Sequence, residues 1–175
     1  MKRHVALVGF MASGKSTIGR KLARRLGMPF VDTDALVIRE HGPVATIFRD
    51  EGEEAFRRYE SAAISEVLAR AEASVIALGG GALTIAANRK LLNASAYRVF
   101  VKISPQQILA RVRRSKEVRP VLGSAPTLAL IESLYKRRLP DYSSADRVID
   151  AERRSDRDVI DEIVAWYSEL PASGG

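Results

Sequence analysis

The run Gly9-Phe10-Met11-Ala12-Ser13-Gly14-Lys15-Ser16 has the spacing G-x-x-x-x-G-K-[ST]. That spacing suits a polyphosphate. Gly9 and Gly14 let the backbone wrap an anion with its N–H groups pointing inward, and a helix starting beyond Gly14 adds partial positive charge at its N-terminus. Ala12, Ser13 and Thr17 complete the expected phosphate contacts. Lys15 is placed to reach the β and γ phosphates of a nucleotide, and the Ser16 hydroxyl to hold Mg²⁺. A chance match in an ordinary strand–loop–helix turn is the competing explanation. The whole pattern in that context is rare at an average glycine usage of about 7%.

Two further groups could do chemistry. Val31-Asp32-Thr33-Asp34 ends a short apolar run with two carboxylates. Asp32 is the obvious metal partner, because the apolar strand at 75–78 ends in glycine rather than in an acid. Gly79-Gly80-Gly81 follows that strand directly. Three glycines in a row destabilise any regular element, so close backbone approach must be needed there; a plain flexible turn is the alternative. The guanine-reading pattern Asn-Lys-x-Asp is missing, which favours a small kinase over a motor or a switch.

The elements that must position these residues alternate in period. Short apolar strands are expected at 4–8, 30–32, 74–78, 97–103 and 147–149. Helices are expected at 15–26, 35–41, 44–50, 51–71, 85–92, 105–112 (capped by Ser104), 128–138 (stopping before Pro140) and 156–169. Strands separated by helices imply a parallel sheet covered on both faces. The tail Pro171–Gly175 is the one low-complexity stretch.

The 175 residues suit one domain, with 46% hydrophobic and 28% charged residues. Cysteine is absent, which excludes disulfides, thiolate metal sites and a cysteine nucleophile. Lys and Arg number 28 against 21 Asp and Glu, for a net charge of +7 and a preference for anions. The apolar run Val5–Val8 is too short for a secretory core, so a cytoplasmic location is expected.

Beyond the phosphate loop, several motifs agree in order and spacing with one family. They are D-T-D at 32–34, GEEAFRRYE at 52–60, LGGGA at 78–82, R-P at 119–120 and R-x-P-x-Y at 138–142. In these the chain resembles the shikimate kinases over about residues 4 to 168. The resemblance implies a three-layer α/β/α phosphate-loop kinase fold with a five-stranded parallel sheet in the order 2-3-1-4-5. It implies a single domain over 1–175, an acceptor-binding segment at about 33–60 and a mobile lid at about 112–124. It also implies transfer of phosphate from ATP to shikimate, giving ADP and shikimate 3-phosphate in aromatic amino-acid synthesis, with Mg²⁺ as cofactor.

Residue by residue, the resemblance gives Asp32 to the metal and Asp34 to the hydroxyl to be phosphorylated. One carboxylate per task is expected, with the chain turning into a helix between them. A helix-capping role for Asp34 is the alternative. Arg57 and Arg138 match the pair that binds the shikimate carboxylate, a task suited to a guanidinium fork. Glu60 would orient Arg57, and Arg58 would be solvated. The Gly79–Gly81 backbone would contact substrate. Arg119 would reach the transferred phosphate, Arg111 would pack on adenine with Arg113 and Arg114 as rivals, and Arg154 would lie near the adenine. Ala12 stands where many relatives have glycine and is expected to be a neutral spacer. Trp166 is assigned to core packing.

A gluconate-type kinase is the nearest alternative, since gluconate is also a polyhydroxy carboxylate. A non-catalytic nucleic-acid-binding module is suggested by basic clusters at 24–25, 113–116 and 136–138. The low aromatic content of 6% counts against it, so no nucleic-acid or membrane partner is expected, and a monomer is. If the phosphate loop is what its spacing says, Lys15→Ala abolishes ATP turnover while circular dichroism and thermal unfolding remain those of the parent. Turnover near the parent rate would refute the assignment.

Overall fold

The computed structural model describes residues 2–115 and 119–170. Five parallel strands form the sheet: β1 His4–Val8, β2 Phe30–Asp32, β3 Val75–Ala77, β4 Ala96–Lys102 and β5 Arg147–Asp150. Their order is β2-β3-β1-β4-β5, as the family resemblance implied. β1 is central because Val5–Val8 are apolar and the strand is buried along its whole length. Val5 and Leu7 lie opposite Val75 and Ala77 on one side, and opposite Tyr97 and Val99 on the other.

Helices α1 Lys15–Leu26, α2 Thr33–His41, α3 Val44–Asp50 and α4 Gly52–Ala69 precede or follow the first strands. They are succeeded by α5 Ala86–Ser95, α6 Pro105–Arg114, α7 Leu128–Ser143 and α8 Asp156–Ser168. Single 3-10 turns occupy Ala82–Thr84 and Pro120–Leu122. Trp166 packs its ring edge-on against Tyr97, with centroids 6.3 Å apart. Among the described residues no helix is long and apolar enough to cross a membrane. Lys116 of the basic cluster, residues 116–118 of the expected lid and the tail Pro171–Gly175 lie outside the described residues.

The winding of the chain decides where a site can form. From β1 the chain moves to β2 and β3 on one flank, then crosses to β4 on the other. Loops leaving the carboxyl ends of β1 and β3 therefore part company above the sheet, and crevices of parallel sheets open at such a point. The phosphate loop, the two aspartates and the glycine triplet all leave strands at this edge.

Two helices differ from their expected bounds in ways that matter to the site. α2 begins at Thr33, two residues earlier than the apolar pattern suggests, because Asp32 and not Asp34 caps it. α7 runs through Pro140 to Ser143 instead of stopping before it. Pro140 and Lys136, whose carbonyl loses its helical donor, both lie on the exposed side. On the other face Arg138 and Tyr142 are buried one turn apart, and the Tyr142 ring packs against Phe100 with centroids 5.2 Å apart. That packing outweighs the lost hydrogen bond.

α6 carries Arg111 toward the phosphate loop and is anchored at its start. The Ser104 hydroxyl accepts from the Gln107 amide at 3.2 Å. Glu152, beyond β5, accepts from the Ser104 amide at 2.8 Å and its hydroxyl at 3.0 Å. The Ser104→Ala variant loses the cap and one of the two bonds to Glu152. Urea unfolding should show a loss of about 1 kcal/mol with an unchanged slope.

Candidate active site

The phosphate loop is bent by its glycines. Gly9 has φ of 142° and Gly14, which caps α1, has φ of 101°. A Cβ on Gly9 would lie 2.8 Å from the Val101 carbonyl, so the loop also needs room there. Ala12 is no neutral spacer: its φ of 60° is left-handed, which penalises a Cβ by roughly 1–2 kcal/mol. The sequence pattern gave no hint of this, because a spacer's dihedral angle is invisible in it.

Lys15 is buried at the mouth of the loop and donates to the carbonyls of Gly9 at 2.9 Å and Phe10 at 2.8 Å. Its third N–H has only a long contact, 3.5 Å, to Ser13 Oγ. Burial pulls its ammonium down to about 8, against the attraction of Asp34 and Asp32. Arg111 donates to the Ala12 and Ser13 carbonyls at 3.1 and 3.0 Å, bracing the loop from α6. Its rivals Arg113 and Arg114 are exposed. Lys15, Ser16, Thr17, Asp32, Arg111 and Arg119 all line one cavity above the loop.

Arg154 is not among that cavity's lining. Its guanidinium donates to the Asp150 and Asp158 carbonyls and, at 2.6 Å, to Glu162, which ties the turn after β5 to α8.

Ser16 Oγ donates to Asp32 Oδ2 at 2.6 Å, while Asp32 Oδ1 accepts from the amides of Asp34 and Ala35. One carboxylate oxygen thus closes the helix and the other meets Ser16. This hard-oxygen pair fits Mg²⁺, which keeps most of its shell as water and phosphate oxygen. No cluster of three or more His, Cys, Asp or Glu suited to a metal occurs among the described residues. Because Asp32 does the capping, Asp34 is released from it.

Asp34 faces a second cavity, walled by Arg57, Glu60, Gly80, Arg119 and Arg138, with Phe48 and Phe56 on its apolar side. The glycine triplet is the wall that brings them together. A Cβ on Gly79 would overlap Glu60 Oε1 and Asp34 Oδ1, one on Gly80 would lie 2.9 Å from the Met11 amide nitrogen, and one on Gly81 would overlap the Arg57 guanidinium. None of the three has a positive φ. They are glycines for space, not for a special turn. The Gly79 N–H donates to Thr33 Oγ1 at 3.2 Å, so that amide is committed within the protein.

The arginines are held in place. Arg57 donates to Glu60 Oε2 at 2.8 Å and to Glu53 Oε1 at 2.9 Å. Glu60 is fully buried, and the expected orienting role is what the geometry has. Arg58 points outward, with its side chain 64% exposed. Arg138 donates to the Gly80 carbonyl at 3.0 Å and lies over the Phe10 ring, 5.3 Å from its centroid. Two buried carboxylate oxygens, Asp34 Oδ1 and Glu60 Oε1, have no hydrogen-bond partner. Both lie against the bare Gly79 backbone, where a side chain would displace them. Burial, with the Glu60 and Asp32 charges nearby, pushes the Asp34 carboxyl up to about 7. Burial also raises Glu60, opposed by Arg57.

Two contributors escaped the sequence reading. Thr33 is fully buried, donates to the Ala77 carbonyl at 3.3 Å and accepts from Gly79. Tyr142 donates to the Gly80 carbonyl at 2.5 Å. The signals were present, as a hydroxyl between two aspartates and a tyrosine one helical turn from Arg138, but each needs its partner's position to acquire meaning.

A phosphate-cradling loop after the central strand of a 2-3-1-4-5 sheet, beside a buried acid–arginine cavity, defines a phosphate-loop kinase of the small-molecule type. Comparison with known proteins narrows the class. The family model described as shikimate kinase matches residues 11–168, and the chain belongs to that family. A shikimate kinase from Symbiobacterium thermophilum is 43% identical over 98% of this chain and 99% of its own length. The solved shikimate kinase from Acinetobacter baumannii in complex with shikimate superposes with a TM-score of 0.89 at 33% identity, covering 98% of this chain and 97% of its own. A gluconokinase from Sinorhizobium meliloti shares the fold alone, at TM-score 0.67 and 20% identity over 96% of this chain and 93% of its own.

The raised Asp34 carboxyl has a signed consequence for stability. Its folded value of about 7 exceeds the ordinary 3.8, so its favourable contribution is complete below pH 3.8 and is lost as pH rises through 7. Asp34→Asn should therefore raise the melting temperature at pH 8, leave it nearly unchanged at pH 4, and lower turnover at least a hundredfold. Scanning calorimetry at both pH values and a turnover assay check this.

Proposed function

We propose that the chain transfers the γ-phosphoryl group of ATP to the 3-hydroxyl of shikimate, giving ADP and shikimate 3-phosphate. The observation that carries the proposal is the acceptor cavity. It has two fixed guanidinium groups, Arg57 and Arg138, to grip a carboxylate, and the half-buried Asp34 to receive a hydroxyl. An acceptor with a carboxylate and ring hydroxyls matches both requirements. The solved relative bound to shikimate supports the choice.

In this reading the nucleotide phosphates lie on the loop N–H groups and the start of α1, with Lys15 neutralising charge on the β and γ groups. Arg119 lines both cavities and serves the transferred group between them. Arg111 shapes the loop from behind and offers its plane to the adenine. Ser16 and Asp32 would hold Mg²⁺, which would add neutralisation of phosphate charge. Asp34 accepts the proton of the attacking hydroxyl. With its carboxyl raised to about 7, it ionises near neutral pH, where a base is most effective. The rate should thus rise with pH up to about 7.

The same reading takes residues 1–175 as one domain with its acceptor segment at about 33–60 and its lid at about 112–124. The protein then works as a cytoplasmic monomer with ATP and shikimate, without nucleic acid or membrane. The test is an ADP-release assay with shikimate, gluconate and a nucleoside monophosphate as acceptors. Shikimate alone should sustain turnover. Equal or faster release with gluconate would overturn the assignment.

A further inference from the structure

The carbonyl of Gly80 is a junction. It accepts from Arg138 Nη1 at 3.0 Å and from the Tyr142 hydroxyl at 2.5 Å, two donors one turn apart on the buried face of α7. A carbonyl has two lone pairs, and both are taken. The peptide that bears it lies in a run of glycines, which resists rotation less than any other backbone. Its neighbours give it no slack to use: Gly80 packs on the Met11 amide and Gly81 on the Arg57 guanidinium. If the Gly80–Gly81 peptide turned, Arg138 would lose its anchor and Arg57 its packing surface. Thr33 pins the preceding amide, at Gly79, from the other side.

We propose that Tyr142 is a positioning residue for acceptor binding: its hydroxyl fixes the Gly80 carbonyl, which holds the Arg138 guanidinium toward the acceptor cavity. The inference rests on the assignment of Arg138 to the acceptor carboxylate. Tyr142 itself does not line that cavity. Its hydroxyl acts on the Gly80 carbonyl and on the Arg138 guanidinium beside it. The run of α7 past Pro140 serves this geometry, since a helix stopping at Arg138 would leave Tyr142 out of reach.

The test is Tyr142→Phe, which keeps the ring against Phe100. Gly80 retains Arg138 as a donor, while Arg138 loses the Tyr142 oxygen beside it; the melting temperature of the variant checks that it folds. The KM for shikimate should rise about tenfold, the effect of one well-placed hydrogen bond. The KM for ATP should stay within twofold. Arg138→Lys should raise the shikimate KM on its own, and adding Tyr142→Phe to it should have little further effect. An unchanged shikimate KM in Tyr142→Phe, equal losses for both substrates, or effects that multiply in the double variant would overturn the positioning role. If Arg138→Lys leaves the shikimate KM unchanged, the carboxylate assignment fails, and the role of Tyr142 fails with it.

Discussion

The backbone at Gly79–Gly81 touches Asp34 and Glu60, then the phosphate loop at Met11, then Arg57, within three consecutive residues. No side chain could occupy any of these positions without displacing a group the site needs. The acceptor cavity can be small and densely charged because one wall is bare peptide. That wall borders the phosphate cavity too, since Gly80 lines both. Met11, Asp34 and Arg119 line both as well, so the two cavities adjoin and reactants bound in them would be neighbours, as direct transfer requires.

Burial is the second governing condition. Lys15, Glu60 and Arg138 are buried and Asp34 is half-buried. Isolated, each would be strongly disfavoured. Together they offset one another: Glu60 is paired with Arg57, Arg138 rests on a carbonyl and an aromatic face, and Lys15 rests on loop carbonyls. Asp34 Oδ1 and Glu60 Oε1 stay without a hydrogen-bond partner among the described residues, packed against the bare Gly79 backbone. Asp34, which lines both cavities, is the carboxylate that a hydroxyl-bearing acceptor would meet.

Much of this was legible from residue types. The alternation of apolar runs with amphipathic stretches located the strands and α-helices to within three residues, except for the end of α7, because β1 and its neighbours are buried by their own composition. The phosphate loop was plain for the same local reason, since its function depends on glycines and a lysine in immediate succession. Arg57 and Glu60 were readable as a pair because three residues on a helix are neighbours in space as well as in sequence. Asp32 and Asp34 were less so: which of them caps α2 depends on where the chain bends, and the answer decided which was free for chemistry.

The sequence by itself determined the kind of chemistry: a nucleotide-phosphate loop, candidate carboxylates, guanidinium groups and a glycine wall, on strands that could only make a parallel sheet. Tertiary structure decided how those groups meet. Thr33 reaches Gly79 across 46 positions, Arg138 and Tyr142 reach Gly80 across 58 and 62, and Arg111 reaches the loop across 98 and more. Local propensity carries no information about such pairs, because the energy that holds them comes from packing and hydrogen bonding between segments that the sheet alone brings together. For the same reason α7 passes through a proline that local rules would make its end: the burial of Tyr142 outweighs the preference of one residue.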